Sequence, residues 1–325
     1  MEPLFIFRLP VGQGRGGAAR RGRRGIEYML SFRPLTWEDR VPYSELYGRT
    51  SVKYAEYSFF SLWGWGDTNP MELAWDDTLC WLRSHGNKPG FCSPVGDWDA
   101  ADWDALLRKH FAPGDVLLDV PEAVVERFSD SLAARVQVTE DRDEWEYLHS
   151  VPELIALKGS RFAQKRAHVR SFQSSCDWEY VPLLPEDFPE LLDFQAEWLR
   201  RREADPSLSL EDEDRAIRRA LERWDDLPFL GALLRADGTT VGYTIAEELD
   251  AKTLDIRFEK ALEDYAGSYQ ALNQLFLQNQ GSDYAWVNRE EDMGNPGLRE
   301  AKLSYHPVRL LKKYRVEILS ALRQG

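Results

Sequence analysis

The segment FLGALLRADGTTVGYTIAEEL constrains the fold more than any other part of the chain. Two apolar runs, residues 229–234 and 240–246, flank Ala236-Asp237-Gly238-Thr239, and an Asp-Gly pair accepts the positive φ angles that a tight hairpin turn imposes. A third strand is expected at Thr253–Ala261, then a helix over residues 268–280, a strand over 284–287, a short helix and a last strand over 309–319. Three antiparallel strands followed by helix, strand, helix and strand make a sheet that must bury its apolar face under helices.

The same alternation runs back to Met29. Strands are expected over residues 29–35, 69–78, 79–85, 89–94, 115–120 and 136–139, with a Trp-bearing helix over 97–111 and another from Pro121 to about Arg135. Thr36 with Asp39 three residues on has the spacing of a capping box that opens a helix through Leu46. A helix over 152–172, a strand at Trp178–Pro182 and helices over 186–203 and 210–225 precede the hairpin. The class is mixed α+β, with one unit over 29–150 and a second over 151–325, and the element order of the second is that of an acyltransferase of the GNAT type.

Composition narrows the partners. The net charge of -14 is divided into +4 for residues 1–28, -11 for 29–150 and -7 for 151–325, which opposes a generic nucleic-acid or anionic-membrane surface. Cys80, Cys92 and Cys176 are odd in number and lack metal-ligand spacing, as expected of reduced thiols in a cytoplasmic protein without structural metal. No stretch reaches the roughly 18 apolar residues of a membrane span, so no integral membrane contact is expected. Seven of the twelve tryptophans fall between Trp37 and Trp103 and are expected in core and interfaces. Residues 1–28, rich in Gly and Arg, are expected to be a disordered extension that adds nothing to the fold, or to precede a natural start at Met29.

Four stretches concentrate ionisable groups. LKGSRFAQKRAHVRSF, residues 157–172, is a basic island whose Arg161, Lys165 and His168 share one helical side; it suits either a solvated face or a phosphate-binding surface, with Lys165 and Arg166 the candidates for a nucleic-acid end. In DIRFEKAL, alternation sets Ile256, Phe258 and Lys260 against Asp255, Arg257 and Glu259, charges that either meet water or line a cleft. Gly267-Ser268 opens a helix whose backbone amides could receive a phosphate, but the preceding turn carries Glu263 and Asp264, which disfavours acetyl-CoA. VNREEDMGNPGLREAKLSYHP places Asn288, Arg289, Glu290, Glu291 and Asp292 at a strand end, with Arg299, Lys302 and Tyr305 on the following short helix. No P-loop, dinucleotide fingerprint, nucleophile elbow or HExxH helix is present, and the five histidines form no triad by spacing.

From about Met29 the chain resembles the bacterial family of soluble proteins related to the C-terminal catalytic region of phosphatidylglycerol lysyltransferases. The resemblance rests on YAEYSFFSLWGW, LKGSRFAQKRAHVRSF, FEKAL, GSYQALNQLF and VNREEDMGNPGLREAKLSYHP. It implies two GNAT-like domains in tandem and transfer of an aminoacyl or acyl group, with aminoacyl-tRNA as donor. The lipid-modifying relatives act on a lipid headgroup, and Fem-type transferases of the same architecture act on peptidoglycan precursors. This chain has no counterpart of the lipid enzymes' multi-helix membrane region, so a small molecule or peptide with an amine or hydroxyl is the expected acceptor. Under that reading Glu259 and Glu290 are bases or amine-binding carboxylates, Lys260, Arg289 and Lys302 stabilise the carbonyl oxygen or a donor phosphate, and Tyr305 protonates a leaving group. Arg257, Asn288, Asp292 and Arg299 complete the binding set with Lys165, Arg166, Gly267 and Ser268. An acetyl-CoA-dependent N-acetyltransferase and a non-catalytic amino-acid or peptide binder are the alternatives.

Overall fold

The computed structural model describes residues 30–76, 78–202 and 210–319; the basic segment 1–28 lies outside them. In chain order the strands are β1 (Arg33–Pro34), β2 (Met71–Trp75), β3 (Leu79–Ser84), β4 (Gly90–Gly96), β5 (Val116–Pro121), β6 (Val136–Glu140), β7 (Glu146–Ser150), β8 (Trp178–Pro182), β9 (Phe229–Ala236), β10 (Thr239–Asp250), β11 (Thr253–Ala261), β12 (Trp286–Asn288), β13 (Arg309–Leu311) and β14 (Lys313–Ile318). They form two seven-stranded sheets, ordered β1-β2-β3-β4-β5-β14-β6 and β13-β7-β12-β11-β10-β9-β8. Each is antiparallel except for one parallel pair, β4 with β5 and β11 with β12.

The chain divides into two compact units, one running through Glu144 and resuming at Lys312, the other spanning Trp145–Leu311. That division departs from a boundary at Ser150 and Val151. Residues of β7 hydrogen-bond to β12 and β13 and so belong with the later unit. The single closing strand expected over 309–319 is two strands: β13 pairs with β7, and β14 pairs with β5 and β6.

In the first unit Trp81, Trp98 and Trp103 are buried, and Trp37, Trp63, Trp65 and Trp75 are half-buried. Trp37 lies edge-on to Trp63 at 4.7 Å between ring centroids, a favourable arrangement for aromatic quadrupoles. The Thr36–Asp39 capping box is present. Pro121 ends β5 rather than opening a long helix, and two short helices, Glu122–Val125 and Asp130–Ala133, stand in its place.

In the second unit the Asp237-Gly238 turn joins β9 to β10 with both residues at positive φ. Leu254, Ile256 and Ala261 of β11 pack in one core with Val169, Tyr269 and Phe276 of the helices Ala163–Ser175 and Ser268–Asn279. On β10 and β11, Tyr243 and Lys260 instead reach the helices Phe188–Arg202 and Leu210–Glu222, through Gln195 and Glu213. The helix expected over 152–172 is broken: Val151–Ala156 ends at Leu157 with φ 43°, and Gly159 has φ 88° before the helix Ala163–Ser175 begins.

Candidate active site

β11 and β12 run parallel over only three residue pairs, the last being Asp255 with Asn288. Beyond it β12 ends and β11 continues to Ala261, so the two strands part in the middle of a sheet. A β-bulge marks the same place. Ile256 pairs with Ala246 and Phe258 with Ile245, leaving Arg257 as the extra residue that shifts the alternation by one. Strict alternation would give Arg257 and Glu259 a common face; the bulge gives them different partners.

Arg257 is buried among three carboxylates. Its Nη2 donates to Glu247 Oε2 at 2.6 Å and its Nη1 to Glu290 Oε1 at 2.8 Å, while Nε lies 2.8 Å from Asp255 Oδ2. Burial, strengthened by Glu146 and Glu247 against the pull of Arg257, pushes Asp255 up to about 8. Burial and the neighbouring Asp255 also raise Glu290 well above the carboxylate range. Glu290 has φ 53°, a conformation held by the Asn288 side chain, whose Oδ1 accepts the Glu290 N–H at 2.9 Å and whose Nδ2 donates to Glu146.

Glu259 and Arg289 form a second cluster with Tyr305 and Lys165. Glu259 accepts from Arg289 Nη2 at 3.2 Å and from Asn273 Nδ2 at 2.9 Å, and burial raises its carboxyl against the pull of Arg289. The Tyr305 ring has the Lys165 ammonium 4.2 Å and the Arg289 guanidinium 4.6 Å from its centroid, within cation–π range. All four side chains are buried. The basic helix therefore contributes Lys165 to this cluster from its inner face.

Lys302 sits between the clusters. Its ammonium donates to the Glu291 carbonyl, and burial, opposed by Glu291 and Glu290 and aided by Arg289, pulls it down to about 8. His149 Nε2 lies 3.2 Å from the Lys302 carbonyl oxygen; a carbonyl only accepts, so Nε2 carries the proton. Burial and Arg289 lower His149 to about 3, and the ring is neutral. Asp292 accepts from the Tyr147 hydroxyl at 2.5 Å and from Arg299 at 2.6 and 2.9 Å. Burial pushes that carboxyl up, but these bonds outweigh it and the net shift is downward.

Several expected site residues are placed apart. Lys260 pairs with Glu213 at 2.5 Å and lies 4.5 Å from the Trp198 ring, on the side of the sheet opposite to Glu259. Arg166 donates to the carbonyls of Leu157 and Gly159 and braces that loop. Gly267 has φ 90°, and a Cβ there would stand 2.1 Å from the His168 carbonyl oxygen; the residue admits close approach of two backbones. Ser268 donates to the Leu262 carbonyl at 2.9 Å, and Glu263 and Asp264 pair with Arg202 and Arg201. Arg289, Glu290 and Lys302 thus have different partners in neighbouring clusters. Sequence reasoning missed Glu146, Tyr147, His149, Glu247 and Asn273; the signal for the first three was the polar-aromatic run EYLHS, which is a central strand.

An open groove beside the clusters is lined by Pro296, Arg299, Glu300, Leu303 and Ser304, with Arg299 linking it to buried Asp292. Among the described residues no group of three or more His, Cys, Asp or Glu is arranged to hold a metal ion. No described helix is long and apolar enough to cross a membrane.

Residues 49–317 match the family model described as phosphatidylglycerol lysyltransferase, C-terminal. A conserved protein of unknown function from Bacteroides thetaiotaomicron is 30% identical, with a TM-score of 0.80 over 89% of this chain and 100% of the other. The C-terminal domain of a lysylphosphatidylglycerol synthetase from Agrobacterium fabrum has a TM-score of 0.59 at 15% identity, covering 86% and 91% of the two chains. FemX has a TM-score of 0.59 at 8% identity, covering 90% and 98%. These last two likenesses establish the tandem GNAT-like fold. An uncharacterised protein of Mycoplasmoides gallisepticum is 29% identical over 177 residues, 53% of this chain, and the match spans only 56% of that curated relative's length. The chain belongs to the phosphatidylglycerol lysyltransferase C-terminal family.

Proposed function

We propose that the chain is an acyltransferase of the aminoacyl kind, moving an acyl group borne as an ester on tRNA onto an amine or hydroxyl of a small molecule or peptide. Family membership supports the reaction class. The observation that carries the reading is the parting of β11 from β12, with Glu259, Arg289, Tyr305, Lys165 and Lys302 grouped about it.

In the reaction the acceptor's lone pair bonds to the ester carbonyl carbon, the carbon–oxygen bond to the carrier breaks, and the acceptor's proton ends on the carrier hydroxyl. Neutral Lys302 is the proton acceptor suited to this task, because a pKa near working pH balances availability against basicity. Arg289 and Lys165 favour the negative charge that develops on the carbonyl oxygen. Glu259 orients Arg289. Lys260, on the other side of the sheet, has no part in this step.

The test is incubation of the protein with labelled aminoacyl-tRNAs and a cell extract, following label into product. Enzyme-dependent product is expected, with roughly 100-fold or greater loss in folded Lys302→Met. Absence of transfer from every aminoacyl-tRNA would sink the reading.

A further inference from the structure

The strands at the margins of the two sheets differ in how they are guarded. β1 and β13 are two and three residues long, and β8 ends on Pro182; short edges and prolines keep sheets from pairing with other chains. β6, the strand VQVTE, is five residues long, with no proline, no lysine and no register shift against β14. Gln137, Val138, Thr139 and Glu140 are all exposed, Val138 at 37%. A marginal strand with side chains in water on both faces is a template for another strand.

The ladder with β14 fixes which backbone groups are on offer. The Asp141 N–H donates to the Lys313 carbonyl at 3.1 Å, and the Leu319 N–H to the Arg135 carbonyl at 2.9 Å. Along an antiparallel strand such bonds recur at every second residue. Arg135, Gln137, Thr139 and Asp141 therefore turn their backbone groups toward β14, and Val136, Val138 and Glu140 turn theirs outward. Among the described residues no strand pairs with that outward edge.

A second copy of the same strand is its complement. With two copies antiparallel and Val138 opposite Val138, Val136 of each copy meets Glu140 of the other, and every opposed outward pair exchanges two backbone bonds. The same register covers each exposed Val138 with the other and sets Arg135 opposite Asp141 at both ends, where cross-strand opposite charges attract. Arg135 has no ion-pair partner among the described residues. Asp141 stands 3.9 Å from Lys88, which pairs more closely with Glu144. Moving the axis to Gln137 or Thr139 loses both the valine pair and the charge match.

We propose that β6 is a dimer interface: two copies of the chain join edge to edge about a two-fold axis at Val138, making one continuous sheet from two seven-stranded ones. The edge lies in the unit closed by β14, whereas the transfer residues lie in the unit spanning Trp145–Leu311, so the dimer does not rest on the transfer reading.

The experiment is sedimentation equilibrium of the whole chain from about 1 to 300 μM, with a dimer expected at a Kd of about 1–100 μM, the weak range suited to a single strand pair. Val138→Pro removes an N–H that faces away from β14, a position where an edge strand admits proline; it is expected to weaken the dimer about tenfold or more. Arg135→Asp and Asp141→Arg each oppose like charges and are expected to weaken it about threefold or more, and the double exchange to restore it to within about twofold. Circular dichroism and urea midpoints establish that the variants are folded. A monomer throughout, a dimer unchanged in folded Val138→Pro, or a double exchange that recovers nothing overturns the proposal. So does slow hydrogen exchange of the Val138 amide at concentrations where the protein is monomeric, since another part of the same chain would then cover the edge. Lys302→Met is expected to lose transfer and dimerise unchanged.

Discussion

Replacing Arg257 by methionine removes the one cation that faces Glu247, Asp255 and Glu290 together. All three carboxylates are buried, and breaking a buried ion pair from one side costs about 3–5 kcal/mol. The loss depends on pH with a definite sign. An acid whose folded pKa stands above its unfolded value holds more protons folded than unfolded between the two, so stability falls as pH rises through that interval. For Asp255 the interval already runs from 3.8 to about 8, and without the guanidinium it extends upward and Glu290 follows. Each extra proton bound by the folded variant changes the loss by up to about 1.4 kcal/mol per pH unit. The variant holds protons that the natural fold has lost only as pH rises past about 8, so urea unfolding is expected to give a destabilisation of about 3–5 kcal/mol at pH 9, smaller by about 1 kcal/mol or more at pH 6. Arg257→Lys should recover little, since one ammonium cannot reproduce a fork reaching three partners. Equal losses at the two pH values, or a loss under about 1 kcal/mol at pH 9, would refute the assignment of these charges as one coupled group.

Gly267→Ala combines a left-handed backbone, costing about 1–2 kcal/mol, with overpacking against the His168 carbonyl, costing about 1–3 kcal/mol; denaturant unfolding should show a loss of about 2–5 kcal/mol, and an unchanged midpoint would remove the packing role. The rate of labelled transfer should rise with pH through about 8 as Lys302 loses its proton, and this limb should vanish in Lys302→Met; its persistence there would assign the base elsewhere. Tyr147→Phe deletes the 2.5 Å bond to Asp292 and should cost about 1.5–3 kcal/mol in urea unfolding, whereas a neutral result would mean that Arg299 and the Gly294 N–H satisfy that carboxylate without it.

Where local chemistry decides the conformation, the sequence was legible to the residue. The strands Trp178–Pro182 and Thr253–Ala261 have their expected bounds, and the Asp-Gly turn sits where its tolerance for positive φ requires. The motifs near the ends of β11 and β12 lie on strands that pair in the sheet. What they could not convey was partnership. The bulge at Arg257 interrupts a stretch that alternates regularly on paper, because a bulge is a property of two strands and only one is visible in a linear reading. Lys260 joins Glu259 in the expected site only through the resemblance, although adjacent strand residues face opposite ways. The break at Leu157–Gly159 showed only one glycine, whereas Leu157, a buried leucine two residues before it, is left-handed as well.

The return of β14 to the middle of the first sheet has a consequence for biosynthesis. Multidomain chains commonly complete their N-terminal unit first as they leave the ribosome. Here β5 and β6 flank β14 rather than one another, so until residues 313–318 are translated each has one edge without its native partner. The order of completion is inverted: the unit spanning Trp145–Leu311 has all its strands available sooner. Throughout that delay the earlier segment exposes two strand edges to whatever can pair with them, making it the part of the nascent chain with most to gain from a chaperone.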